Sequence, residues 1–151
     1  MQNLLRVLEG DPEAIRFPRA MSDGGFDFSF SGLKTSVVNH VRRHPDVDSR
    51  DVAASFQAAV VDVLVDKTRR AAAEIGATGI VLGGGVAANS ALRRDLAAAG
   101  EADGRRVFLP GREMCTDNAA MIAAAGWHRL RADGPSPLET GAVPSMPLLG
   151  A

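Results

Sequence analysis

The chain has 151 residues, 46% of them hydrophobic, and sets 17 Lys and Arg against 18 Asp and Glu for a formal net charge of -1. That length supports one ordinary core, and the composition excludes a disordered, collagen-like or disulfide-scaffold protein. The single cysteine, Cys115, cannot form an internal disulfide and suits a reducing, cytoplasmic compartment.

Charges at Arg6, Glu9, Asp11 and Glu13 break the apolar core that a secretory leader needs. The longest apolar run, around Ala58 to Val65, is interrupted by Asp62 and falls short of the ~20 residues that cross a bilayer. Near-neutral charge also means that any nucleic-acid contact rests on a local patch or a partner, with arginine pairs at 42–43, 69–70, 93–94 and 105–106 as the candidates.

In chain order, Leu4, Leu5 and Leu8 suggest a short helix, and Asp11-Pro12 the cap and first position of another. Phe26, Phe28 and Phe30 alternate with small polar residues, which predicts a strand turned by Gly32, with Phe28 and Phe30 in the core. A helix is expected over 33–44, with Leu33, Val37, Val38 and Val41 on one face and Pro45 ending it. Asp51 is expected to cap a longer helix that places Val52, Phe56, Ala59, Val60 and Val63 at helical spacing and runs to about Glu74. Ile80, Val81 and Leu82 read as a short buried strand running into Gly83-Gly84-Gly85. Asn89 is placed to cap a helix over 90–99 that Gly100 closes. Val107 to Leu109 is a second strand, and Thr116 or Asp117 caps a last helix reaching about Leu130. Strand, glycine turn, helix, strand, loop, helix makes an α/β class with a largely parallel sheet. The expected divisions are a remnant and linker over 1–25, the α/β lobe over 26–132 and a Pro/Gly-rich tail over 133–151.

Four features bear on chemistry. Gly83-Gly84-Gly85-Val86-Ala87-Ala88-Asn89 joins a strand to a helix, where bare backbone amides and a helix start suit an anion or nucleotide, although a purely structural turn fits equally. Asn89 can cap the helix, bind a ligand, or do both through different atoms. Asp117 fits either a helix cap or a metal ligand, and one carboxylate alone is too few donors for a transition metal. Ser31 and Lys34 sit at a strand-to-helix transition and can face a cleft. Cys115 reads as a buried small residue, since no base lies near it in sequence, and His40, His44 and His128 as structural or solvent-facing.

Three segments, Phe28-Ser29-Phe30-Ser31-Gly32-Leu33-Lys34-Thr35, Gly84-Gly85-Val86-Ala87-Ala88-Asn89 with Leu92-Arg93, and Cys115-Thr116-Asp117-Asn118 with Ala120-Met121, closely resemble the tRNA N6-adenosine threonylcarbamoyltransferase family in order and spacing. Family members are about twice this long. The resemblance implies an actin-like ATPase (ribonuclease H-like) fold with only the second, C-terminal lobe represented here.

It further implies transfer of threonylcarbamoyl from threonylcarbamoyl-AMP to N6 of adenosine 37, in tRNAs reading codons that begin with A. Asn89, Gly85 and Gly84 would face the adenylate, with a capacity for ATP or ADP. Asp117 would be one ligand of a divalent Fe or Zn whose two histidine ligands come from the N-terminal lobe, so His40 and His44 do not take their place. The implied partners are that lobe, tRNA, and the bacterial accessory proteins TsaB and TsaE.

The chain departs from the family at Ala119, where glycine is usual, and at Leu4-Leu5-Arg6, where a glycine-rich segment is usual. Two other readings stay open: an inactive nucleotide-binding or assembly module, including a homodimer, and a sugar or acetate kinase of the same superfamily.

Overall fold

A computed structural model of the chain describes residues 9–19, 25–143 and 145. The leucines at 4, 5 and 8 and the end of the Pro/Gly-rich tail lie outside the described residues. Four helices lie wholly among the described residues: α1 (Ser31–Arg43), α2 (Ser49–Glu74), α3 (Ser90–Ala102) and α4 (Ala119–Asp133). Two strands, β1 (Gly79–Val81) and β2 (Arg106–Phe108), pair in parallel with Ile80 opposite Val107. Short 3-10 helices cover Gly85–Ala88 and Arg112–Met114. The α/β class with a parallel sheet is therefore as expected, with two strands among the described residues. The chain divides into two compact units, Met1–Cys115 and Thr116–Ala151.

In the first unit α2 spans two cores. Its 26 residues extend roughly 39 Å at 1.5 Å per residue, long enough to serve both. Toward its start, Ala59 packs with Phe17 and Leu33, bordered by Ile15, Phe30, Val37, Val52 and Val60. Toward its end, Ala72 packs with Ile80 and Leu96, bordered by Val65, Ala77, Leu82 and Val107. Buried Ser55 stitches the chain at 11–15 onto α2, accepting from the Ile15 N–H at 3.1 Å and donating to the Asp11 carbonyl at 3.1 Å. Gly10 is required there, because a Cβ would lie 2.0 Å from the Arg50 carbonyl oxygen.

Several local expectations are corrected. Asp11-Pro12 starts a turn, in which the Asp11 carboxylate accepts from the Glu13 N–H at 2.8 Å, and residues 12–19 form no helix. Residues 25–30 form no strand, and Gly32 lies inside α1. Phe28 is half exposed and stacks on Phe30, with ring centroids 6.4 Å apart, and Phe30 alone borders the core. The buried Lys67 ammonium holds this segment by donating to the Asp27 carbonyl and lying 5.4 Å from the Phe28 ring centroid.

On α1 the inward face is Leu33, Val37 and His40, the last edge-on to Phe17 at 5.7 Å, while Val38 and Val41 are exposed. Asp48, not Asp51, caps α2 by accepting from the Arg50 N–H at 2.8 Å, and Asp51 instead accepts from the Asp11 N–H at 2.9 Å. Only Ile80 of β1 is buried, and Val81 is exposed. Helix α3 runs past Gly100 to Ala102 and stops before Gly104, whose φ of 67° is the left-handed geometry that ends helices.

In the second unit, Asn118 caps α4 by accepting from the Met121 N–H at 3.0 Å, so neither Thr116 nor Asp117 does. The helix continues to Asp133, which removes His128 from the last turn and sets its ring edge-on to Trp127 at 5.1 Å. No residue of α4 is buried; Ile122, Trp127 and Leu130 are all more than half exposed.

Candidate functional site

The strand-to-helix connection after β1 carries the candidate site. Gly84 adopts φ 81°, which an L side chain rarely tolerates, and a Cβ on Gly83, Gly84 or Gly85 would meet nothing within 4 Å. The loop therefore offers a bare backbone surface at the carboxyl end of β1. It does not run directly into α3. The intervening 3-10 helix uses the N–H groups of Ala87 and Asn89, which bond Gly84 and Val86 carbonyls at 2.9 and 3.0 Å. Those two amides are therefore already taken within the turn.

Asn89 begins α3 as expected. Its Oδ1 accepts from the Leu92 N–H at 3.0 Å, and its Nδ2 donates to Gln57 Oε1 at 2.8 Å. Both amides line a cavity of about 550 Å³ between α2 and the start of α3, whose wall is otherwise mainly Phe56, Val60, Leu64 and Leu92. Neither Ser31 nor Lys34 lines it. Those two are exposed in the first turn of α1, where Ser31 contributes a carbonyl that accepts from Thr35 Oγ1 at 3.1 Å.

Arg93 braces this region. Its guanidinium donates to the Ala87 carbonyl at 3.0 Å and the Pro110 carbonyl at 2.8 Å, tying the glycine connection to the loop after β2. It also lies 3.9 Å from Cys115 Sγ, and Cys115 is buried, with its thiol donating to the Gly111 carbonyl at 3.4 Å. Cys115 is thus the packed small residue expected, but the basic neighbour comes from 22 positions away, where sequence proximity cannot reveal it.

Most of the arginine clusters are engaged internally. Arg69 bonds Asp103 at 2.6 Å, Arg70 bonds Asp66 at 2.9 Å, and Arg94 bonds Asp95 at 2.6 Å. The Arg69 hydrogen bond, with the charges of Arg69 and Arg105, outweighs desolvation and holds the Asp103 carboxyl below its ordinary value. The bonds from Asp48, Asp103 and Asp95 likewise raise Arg50, Arg69 and Arg94.

In the second unit Asp117 is exposed immediately before the cap residue Asn118. Asn118 meets the capping need and anchors itself through Nδ2 to the Thr116 carbonyl at 3.0 Å, so the Asp117 carboxylate is not consumed by the helix start. A hard carboxylate oxygen fits one position around a divalent cation. No group of three His, Cys, Asp or Glu lies together among the described residues, whereas a metal centre needs at least three protein donors. Asp117 is thus an exposed carboxylate with no second or third candidate donor grouped with it among the described residues.

The family described as TsaD, tRNA N6-adenosine threonylcarbamoyltransferase, matches residues 2–124. A protein of that name from Moorella thermoacetica is 52% identical over 145 residues, covering 93% of this chain and 42% of the relative. Its namesake from Symbiobacterium thermophilum is 50% identical over 142 residues, covering 92% and 42%. The Geotalea daltonii relative is 48% identical over 145 residues, covering 93% and 42%. The chain thus spans about two fifths of the length of the curated relatives it matches.

Proposed function

Because the chain belongs to the tRNA N6-adenosine threonylcarbamoyltransferase family, we propose that it forms the adenylate-facing wall of such an enzyme, as the actin-like C-terminal lobe over 26–132. The reaction is transfer of threonylcarbamoyl from threonylcarbamoyl-AMP to N6 of adenosine 37 in tRNAs reading codons that begin with A. The N6 nitrogen bonds to the carbamoyl carbon, the bond from that carbon to the phosphate oxygen breaks, AMP departs, and N6 gives up a proton.

The observation that carries this reading is the glycine connection between β1 and α3, which leads to an asparagine amide at the edge of a cavity. Gly84 and Gly85 let the ligand approach backbone that side chains would otherwise screen, and the Asn89 amide orients it. Arg93 keeps the Ala87 carbonyl fixed, so the loop is preorganised. Asp117 would give one oxygen donor to a divalent Fe or Zn, with two histidines of the other lobe, and such a metal would supply Lewis-acid polarisation of a carbonyl. Ser31 and Lys34 lie outside this cavity and would face the cleft only on the side of the other lobe; tRNA, TsaB and TsaE are the proposed partners.

The test joins this chain to the remaining portion of the Moorella thermoacetica relative and follows labelled threonine into tRNA. Asn89→Ala should weaken AMP binding, and Asp117→Ala should lower metal content and transfer together. Unchanged metal content and transfer in Asp117→Ala would remove its assigned role.

A further inference from the structure

We propose that Gln57 is a ligand-orienting hydrogen-bond donor in the cavity beside Asn89, with a polarity dictated by the start of α3. This rests on the nucleotide reading of that cavity and adds a residue to it.

A backbone N–H can only donate, so the Asn89 atom 3.0 Å from the Leu92 nitrogen is the amide oxygen. The Asn89 atom facing Gln57 is then the NH2 group, which donates. Its acceptor, 2.8 Å away, is therefore the Gln57 carbonyl oxygen. What remains is Gln57 Nε2, carrying two hydrogens and making no hydrogen bond among the described residues.

Gln57 also lines the cavity, in a wall made mainly of Phe56, Val60, Leu64, Val86 and Leu92. No lysine or arginine lines it, so it is poorly suited to a phosphate and well suited to a flat, largely apolar ring. A donor in such a wall discriminates, because a ring lacking the matching acceptor leaves a desolvated N–H unpaired. The chemistry that fits is a heteroaromatic base with a ring-nitrogen acceptor turned toward α2. Gln57 is a positioning residue here: it touches the base and not the reacting carbonyl.

The experiment uses the 15N-labelled chain titrated with AMP to millimolar concentration, and in parallel with ribose 5-phosphate, which has no base. The Gln57 side-chain NH2 signals are identified by their loss in Gln57→Glu. AMP should shift those signals together with the backbone amides of Val86 and Asn89, while ribose 5-phosphate should leave the Gln57 pair in place. At neutral pH the Gln57→Glu carboxylate still accepts from Asn89 but cannot donate. Its thermal midpoint should stay close to the parent's, while AMP binding weakens about tenfold, the size expected for one lost hydrogen bond. If AMP shifts the loop amides but leaves the Gln57 pair unmoved, the assignment to Gln57 is overturned and the nucleotide reading survives. If no signal in the chain responds to AMP, the nucleotide reading itself fails, and the role of Gln57 fails with it.

Discussion

The Asn89 amide gives its oxygen to α3 and an N–H to Gln57, and these two duties separate by substitution. Asn89→Ala loses both, and the lost cap should cost about 1 kcal/mol of stability in urea denaturation. Asn89→Asp keeps an oxygen on the Leu92 N–H and adds a charge that the helix start favours, so stability should stay within about 0.5 kcal/mol of the parent. With no donor at position 89, Gln57 must turn its own NH2 toward the new carboxylate, and the cavity then faces an acceptor. AMP binding should therefore weaken in Asn89→Asp despite the preserved fold; equal binding would break the link between cap and cavity. The cap was legible in sequence, because Asn89 directly precedes a helical pattern. Its partner was not, since Gln57 lies 32 positions earlier on α2 and only packing brings the two together. At Thr116-Asp117-Asn118 three capping residue types stand in a row, and composition alone cannot choose among them. That Asn118 takes the cap is what leaves the Asp117 carboxylate for other work.

At the level of elements, Gly100 shows how a glycine that reads as a stop can be a packing device. It is buried inside α3, and a Cβ there would lie 2.2 Å from Val107 Cγ2 on β2. Gly100→Ala should thus destabilise by roughly 1–3 kcal/mol from overpacking, even though alanine favours a helix by up to about 1 kcal/mol. Adding Val107→Ala should recover part of the loss, and a fully additive double mutant would show that the two side chains do not collide.

The end of α3 also carries a pH response. Because Asp103 is held below its ordinary carboxyl value of 3.8 by Arg69, its ion pair stabilises the fold above that value and is lost as pH falls through the lower, folded one. Asp103→Asn should flatten the acid limb of the stability curve below about pH 4 and leave its neutral slope unchanged. The two strands were legible as short apolar runs, and α1 to α4 from apolar periodicity or from capping residues at their starts. The failure at Phe26, Phe28 and Phe30 has a physical cause: alternation describes a strand only if neighbouring backbone pairs with it, and among the described residues none does. Of the chain's two lysines, the sequence drew attention to exposed Lys34, whereas Lys67 is the buried one that fastens this segment.

For the whole molecule, the arithmetic of donors and length points the same way. The chain spans 42% of each of three relatives that carry the transferase name, and among its described residues no three possible metal donors lie together, where at least three are needed; Asp117 is the one proposed donor. Helix α4, which follows that donor, buries no side chain and leaves Trp127 and Leu130 more than half exposed. A site divided in this way should have no partial activity, because orientation of two substrates and polarisation of the carbonyl act together. The 151-residue chain alone should therefore give no labelled threonine in tRNA above the no-protein control. Joined to the remaining portion of the Moorella thermoacetica relative, it should transfer, and Asp117→Ala in that protein should reduce transfer by more than about tenfold, the lower end of what even supporting partners of a metal contribute. The decisive comparison is metal content per protein in the chain alone, the joined protein and its Asp117→Ala variant. Stoichiometric metal and transfer in the chain alone would show that it holds a complete centre, and the divided site would have to be abandoned.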